Sequence, residues 1–222
     1  MIFLNWKANG DKKLLEDYHK INLGEKFIVM PPHHLLLSGL NTSLIGSQTV
    51  SQFNEGSHTG EITAKMLAEC GVNFCLVGHS ERRTHNGEST EILIKQIANL
   101  LEFGIVPVLC IGESLQERQG GKYFEVLQHQ LSVFQERCIV AYEPVWAIGS
   151  GLIPKMEEIV EVKNFIKSTC KNAKVLYGGS ATSGNIKEIL NTGVDGVLIG
   201  GASLKIEEVK KFKEIVGVIY GR

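Results

Sequence analysis

Short apolar runs punctuate the chain: Ile2-Leu4, Phe27-Met30, Leu44-Gly46, Phe74-Val77, Ile105-Ile111, Cys138-Tyr142, Ala173-Tyr177 and Gly196-Ile199. They have strand length, and most pairs are separated by a stretch with helical spacing. Ile92, Ile94, Ile97, Leu100 and Leu101 are expected on one helical face. So are Ile159, Val162, Phe165 and Ile166 and, more weakly, Tyr18 and Ile21. Strands that are apolar on both faces and alternate with helices predict a parallel sheet covered on both sides. About eight such units predict an α/β fold, a closed (β/α)8 barrel rather than an open sheet. An open dinucleotide-binding sheet would place GxGxxG after its first strand. Asn5-Trp6-Lys7-Ala8-Asn9-Gly10 stands there instead. No low-complexity segment or Pro/Ser-rich linker divides the chain, so residues 1–222 are expected to form one barrel domain.

Composition narrows the function. Hydrophobic residues make up 43% and charged residues 21%, enough for a sizeable core, and the net charge is −1. Nothing resembles the basic face of a nucleic-acid binder, so any attraction for an anion must be local. No apolar run approaches membrane-spanning length, and Met1-Ile2-Phe3-Leu4-Asn5 lacks the charged start of a signal peptide. Cys70, Cys75, Cys110, Cys138 and Cys170 form no CxxC pair, and most lie in apolar runs. They read as small buried hydrophobes in a reducing compartment, with no structural zinc and a cytoplasmic location expected. His33-His34 has no further ligands at metal-binding spacing.

Chemistry gathers where strands end. Residues 141–151 read Ala-Tyr-Glu-Pro-Val-Trp-Ala-Ile-Gly-Ser-Gly. A lone carboxylate, Glu143, closes an apolar run; Pro144 fixes the backbone after it, and a loop with an apolar tip and two glycines follows. A carboxylate beside a segment able to close over it is a way to make a dry general base. Active sites of such barrels lie at the C-terminal strand ends. There the sequence places Asn5, Lys7, His79, Glu113, Glu143, Gly178-Gly179-Ser180 and Gly200-Gly201. Asn5 and Lys7, two apart, are expected on one strand face with Trp6 on the other. His79 precedes Ser80-Glu81, a helix start whose positive end disfavours the charged ring, leaving a neutral donor. The paired glycines would let a phosphate approach backbone N–H groups. One base, one neutral donor, one cation and a phosphate cradle suit proton abstraction next to a carbonyl in a small phosphorylated substrate.

These segments carry a resemblance that runs from end to end. Asn5-Trp6-Lys7, Gly78-His79-Ser80-Glu81-Arg82-Arg83, Cys110-Ile111-Gly112-Glu113, the Ala141–Gly149 segment, Tyr177-Gly178-Gly179-Ser180 and Leu198-Ile199-Gly200-Gly201-Ala202-Ser203-Leu204 resemble the triosephosphate isomerase family. The resemblance implies cofactor-free interconversion of dihydroxyacetone phosphate and glyceraldehyde 3-phosphate. It assigns Glu143 as base and His79 as electrophile, with Asn5 and Lys7 binding and polarising the substrate. Gly149, Ser180, Gly200 and Gly201 would contact phosphate through N–H groups. In support, Glu113 would hold the lid Trp146, and Glu81 would lie near Lys7. A homodimer is implied, with the Phe53–Thr63 loop, Thr59 included, docking into the partner and Glu61 pairing with Arg82 across the interface. A neutral histidine and a closing lid are well-known features of that family, and the resemblance implies both here.

Three features depart from the family pattern. The chain is shorter than the roughly 250 residues usual for the barrel, with the deficit placed around Pro31 to Gln52 and a very short second helix expected. The lid continues as Ser150-Gly151-Leu152-Ile153-Pro154, which should move the hinge onto Ser150 and Gly151. Ser57-His58 precedes Thr59, where the family has a small residue and an aromatic. Among alternatives, a metal-dependent epimerase would need His/Asp pairs at strand ends, and an indole-forming synthase a larger pocket. A non-catalytic barrel would have lost Glu143 or His79.

Overall fold

A computed structural model describes residues 1–38 and 44–220. The strands are β1 (Ile2–Asn5), β2 (Phe27–Met30), β3 (Gly46–Ser47), β4 (Phe74–Val77), β5 (Val106–Ile111), β6 (Ile139–Tyr142), β7 (Lys174–Tyr177) and β8 (Gly196–Ile199). The helices are α1 (Lys12–His19), α2 (Ala64–Glu69), α3 (Ser80–Asn86), α4 (Thr90–Glu102), α5 (Leu115–Gln119), α6 (Tyr123–Leu131), α7 (Met156–Thr169), α8 (Ile186–Asn191) and α9 (Ile206–Tyr220). All strand pairs are parallel, in the order β2-β1-β8-β7-β6-β5-β4-β3. Among the described residues a single parallel bridge, from Val29 to Ile45, joins the two ends, so the eight-stranded ring is nearly closed. Among the described residues no helix is long and apolar enough to cross a membrane.

The period of two along each strand sorts its side chains into two cores. Phe3, Ile28, Met30, Leu76, Val108, Ile139, Ala141, Leu176 and Leu198 fill the barrel. Their strand neighbours, such as Ile2, Leu4, Val140, Tyr142, Val175 and Tyr177, pack outward against the helices. Continuing the inward series by two residues leads from Phe3 to Asn5, from Ala141 to Glu143, from Leu176 to Gly178 and from Leu198 to Gly200. The barrel's own alternation therefore aims these four positions at its mouth.

Three expectations change in detail. On α4 the buried apolar residues are Leu93, Ile97 and Leu100, whereas Ile94 is 52% exposed. The face is rotated because Gln96 and Asn99 also turn inward, their amides donating to the carbonyls of Val50 (2.8 Å) and Gln52 (3.2 Å). The third strand is Gly46–Ser47 rather than Leu44-Gly46; Ile45 makes the closing bridge and accepts the Asn73 N–H at 2.8 Å. After β2 the chain forms a short 3-10 helix, His33–Ser38, so the element expected to be very short is of the 3-10 type. The shortened stretch expected from Pro31 to Gln52 lies partly outside the described residues.

Candidate active site

At the C-terminal mouth of the barrel a cavity of about 380 Å³ is lined by Asn5, Lys7, His79, Glu143, Ser180, Gly200 and Gly201, with Ile148 and Gly149 from the loop after Glu143. A larger hollow of about 640 Å³ lies at the other end, between residues 20–27 and α9. It contains none of the strand-end residues.

Glu143 is 3% exposed. Its N–H donates to the Ile111 carbonyl at 2.7 Å, continuing the β5–β6 ladder past the strand end. Burial pushes its carboxyl above the ordinary carboxylate range, opposed by the nearby His79 ring, the Lys7 ammonium and the Cys110 thiol. That is the direction a general base working near neutrality needs. Its Oε2 is buried without a hydrogen-bond partner.

His79 caps α3. Its Nδ1 accepts the N–H of Glu81 at 3.3 Å. That bond leaves Nε2 as the protonated nitrogen of the neutral ring. Nε2 stands 3.4 Å from Glu143 Oε1, and both side chains are almost fully buried. The carboxylate and the imidazole therefore face one another in the cavity.

Lys7 reaches the site by a different route from the one expected. β1 ends at Asn5, and Lys7 has φ 54°, in the left-handed region. The two residues do not share a strand face. The turn is held instead by the Lys7 N–H donating to Asn5 Oδ1 at 3.0 Å and by Gln48 Nε2 donating to the Lys7 carbonyl at 2.9 Å. A non-glycine residue in this conformation carries strain of about 1–3 kcal/mol and persists only where its surroundings impose it. The Lys7 ammonium pairs with Glu81. Burial raises the Glu81 carboxyl, but pairing with Lys7 outweighs it and the net shift is downward.

The glycines divide by function. A Cβ on Gly178 would come within 2.6 Å of Glu143 Cγ, and one on Gly179 would overlap the Tyr177 hydroxyl. This pair makes room for protein side chains as well as lining the cavity. Gly201 has open space beside it and starts a 3-10 helix, Gly201–Leu204, with Gly200 as its cap. Ser203 pins that helix, its hydroxyl contacting the carbonyls of Gly200 (2.6 Å) and Asn5 (3.2 Å).

The loop after Glu143 is fastened at its start. Val145 donates to the Glu113 carbonyl at 2.9 Å, and Trp146 Nε1 donates to Glu113 Oε1 at 3.1 Å. Ser180 gives both its N–H (3.2 Å) and its hydroxyl (2.7 Å) to the Ala147 carbonyl. Gly149 and Gly151 have φ of 65° and 77°, so glycine serves a backbone need on either side of Ser150.

A family model described as triosephosphate isomerase matches residues 1–218. The chain is 38% identical to the triosephosphate isomerase of Francisella philomiragia subsp. philomiragia, covering 97% of this chain and 95% of that protein. It is likewise 38% identical to the Neisseria meningitidis serogroup A protein of the same name, over 91% and 92% of the two chains. The chain belongs to the triosephosphate isomerase family. Membership accounts for the barrel and for the order of motifs along it.

Within the family frame, the supporting pairs Glu113–Trp146 and Lys7–Glu81 are both in contact. Glu61 and Arg82 are not brought together within the chain: Arg82 Nε donates to Glu88 at 2.8 Å, and Glu61 is exposed. Thr182, Lys205 and Glu208 also line the cavity, and sequence reasoning does not find them. Thr182 and Lys205 sit in connections beyond the strand ends and Glu208 in the first turn of α9, positions that strand alternation does not mark. Cys110, against Glu143, reads in sequence only as a buried hydrophobe; the inward series Val108, Cys110 is the signal that places it there.

Proposed function

We propose that this chain interconverts dihydroxyacetone phosphate and D-glyceraldehyde 3-phosphate by moving one proton between adjacent carbons, with Glu143 as the base. The observation carrying this reading is the Glu143 Oε1 to His79 Nε2 approach of 3.4 Å inside one small cavity. Glu143 takes a proton from the carbon beside the substrate carbonyl. The electron pair moves onto the carbonyl oxygen, where the Nε2–H of His79 and the Lys7 ammonium stabilise the enediolate. The hydroxyl proton passes between the two oxygens, and Glu143 returns its proton to the neighbouring carbon. The chemistry is proton transfer throughout and calls for no cofactor. Asn5 fixes the turn that carries Lys7. Gly149, Ser180, Gly200 and Gly201 offer N–H groups to the phosphate. Because the Ser180 N–H is already given to Ala147, phosphate can take it only as the lid shifts. A coupled assay with purified protein tests the reading: isomerisation in both directions is expected without added metal or cofactor. No turnover of either triose phosphate would reject it.

The whole chain, residues 1–222, is read as one barrel domain in a reducing, cytoplasmic compartment. Its described cysteines are all free, which supports that setting. We also assign it a homodimer through the Phe53–Thr63 loop. Residues 53–61 are all exposed, Phe53 among them, yet the loop is built. Its base is closed by Ser51 N–H to the Ile62 carbonyl (2.8 Å), and Phe53 stacks on His58 at 4.0 Å. A shaped loop without its own cover suits insertion beside a partner's Lys7, with Thr59 and Glu61 at the contact and Arg82 opposite. Light scattering should give twice the chain mass, with activity falling as dilution splits the dimer. A monomer of full specific activity would exclude this interface.

A further inference from the structure

Arg118 lies on α5, outside the cavity, with its side chain 11% exposed. Its guanidinium covers the Tyr123 ring at 4.2 Å. One edge donates from Nη2 to Glu158 Oε1 at 3.1 Å, with Glu161 Oε2 at 3.6 Å. The other edge turns Nη1 toward Glu113 Oε1, 3.9 Å away. Nη1 and Glu113 Oε2 are both buried without hydrogen-bond partners.

The two carboxylates on either side of this guanidinium belong to the two roots of the lid. Glu113 is fully buried and holds the leading root, through Val145 and Trp146. It also accepts the Tyr142 hydroxyl at 3.1 Å, from the residue before Glu143. Glu158 holds the trailing root: its Oε2 accepts the N–H of Lys155, next to Pro154, at 2.8 Å. A hinged segment moves reproducibly only if its roots hold still while a few residues turn. A rigid planar fork holds two carboxylates at once in a fixed geometry, which a flexible ammonium does less firmly. Burial raises the Glu113 carboxyl and the Arg118 charge opposes that shift, favouring the ionised form, which grips Trp146 and Tyr142 roughly twice as strongly as a neutral acceptor.

We propose that Arg118 is a positioning residue that ties the two roots of the lid together through Glu113 and Glu158, and so sets where Glu143 stands when the lid closes. The proposal rests on the reading of 145–154 as a lid and of Glu143 as the base.

Arg118→Met keeps the stem over Tyr123 and removes charge and donors. Turnover should fall about tenfold, within the ~10²-fold that misplacement from afar can cost. The loss should deepen as pH is lowered, because Glu113 without its cation protonates earlier. Fluorotryptophan labelling gives one signal each for Trp6 and Trp146, and exchange at Trp146 should change. Arg118→Lys should recover part of the loss. Glu158→Gln keeps an acceptor for Lys155 and loses the ion pair; added to Arg118→Met it should cost little more. Wild-type turnover, pH profile and Trp146 exchange in folded Arg118→Met would overturn the proposal. If that variant does not fold, wild-type behaviour of both Arg118→Lys and Glu158→Gln overturns it instead. Failure of the base assignment is separable: it would show as unimpaired turnover in Glu143→Gln, whereas Trp146 exchange reads the lid alone.

Discussion

Glu143→Gln is expected to lower turnover by at least the ~10²–10⁴-fold associated with general base catalysis. Glutamine matches the size of the side chain and can still meet His79 Nε2, so the cavity keeps its shape. It cannot carry a proton between carbons. The same substitution should raise stability at neutral pH. Burial lifts the folded-state pKa of Glu143 above 4.5. Folded protein therefore holds this proton at a pH where the unfolded chain has lost it. The stability this group contributes is complete below about pH 4.5 and is lost as pH rises through the folded value. Glutamine does not titrate, so the melting temperature of the variant should gain on wild type as pH rises from about 4.5 to 7. Glu113, shifted in the same direction, titrates in both proteins and drops out of the comparison. The acid limb of wild-type kcat/KM should likewise lie above the ordinary carboxylate value. Near-normal turnover in Glu143→Gln, or a stability difference that shrinks with rising pH, would sink the assignment.

The parts of this site that are legible in the sequence are those that follow from the period of two. Once Phe3, Ala141, Leu176 and Leu198 are taken as interior, Asn5, Glu143, Gly178 and Gly200 must reach the mouth, whatever the sheet's twist. His79 is legible because the helix start beside it is written locally in Ser80-Glu81. Lys7 is not, because its approach depends on a left-handed residue held by Asn5 and by Gln48, which is 41 positions away. The inward turn of Gln96 and Asn99 is hidden for a similar reason: their carbonyl partners lie on another segment. Arg118 reads in sequence as a charge on a short exposed helix. Only the fold sets it between Glu113 and Glu158.

The placement of Glu143 also depends on a residue with no chemistry of its own. β5 and β6 run side by side to their ends, and Gly112 lies directly beside the backbone carbonyl of Glu143. A Cβ there would overlap that carbonyl oxygen and come within 2.6 Å of its carbon. The need is for space, since Gly112 is not among the positive-φ glycines. At Gly178 the obstacle is a side chain, Glu143 Cγ, which can rotate away; at Gly112 it is backbone, which cannot. Gln130 adds to the constraint by bonding both the N–H (2.8 Å) and the carbonyl (3.0 Å) of Gly112. Gly112→Ala must therefore spread the two strands or drop those bonds. A loss of about 3 kcal/mol is expected, the upper end of the usual overpacking range, which for a chain of this size lowers the melting temperature by about 6–12 °C. Turnover should fall as well, up to ~10²-fold, because Glu143 moves with its carbonyl. Gly201→Ala is the control for stability: nothing lies within 4 Å of its Cβ position, and its melting temperature should stay close to wild type. Equal melting temperatures for Gly112→Ala and wild type, with turnover intact, would show that the strand ends are looser than this packing allows.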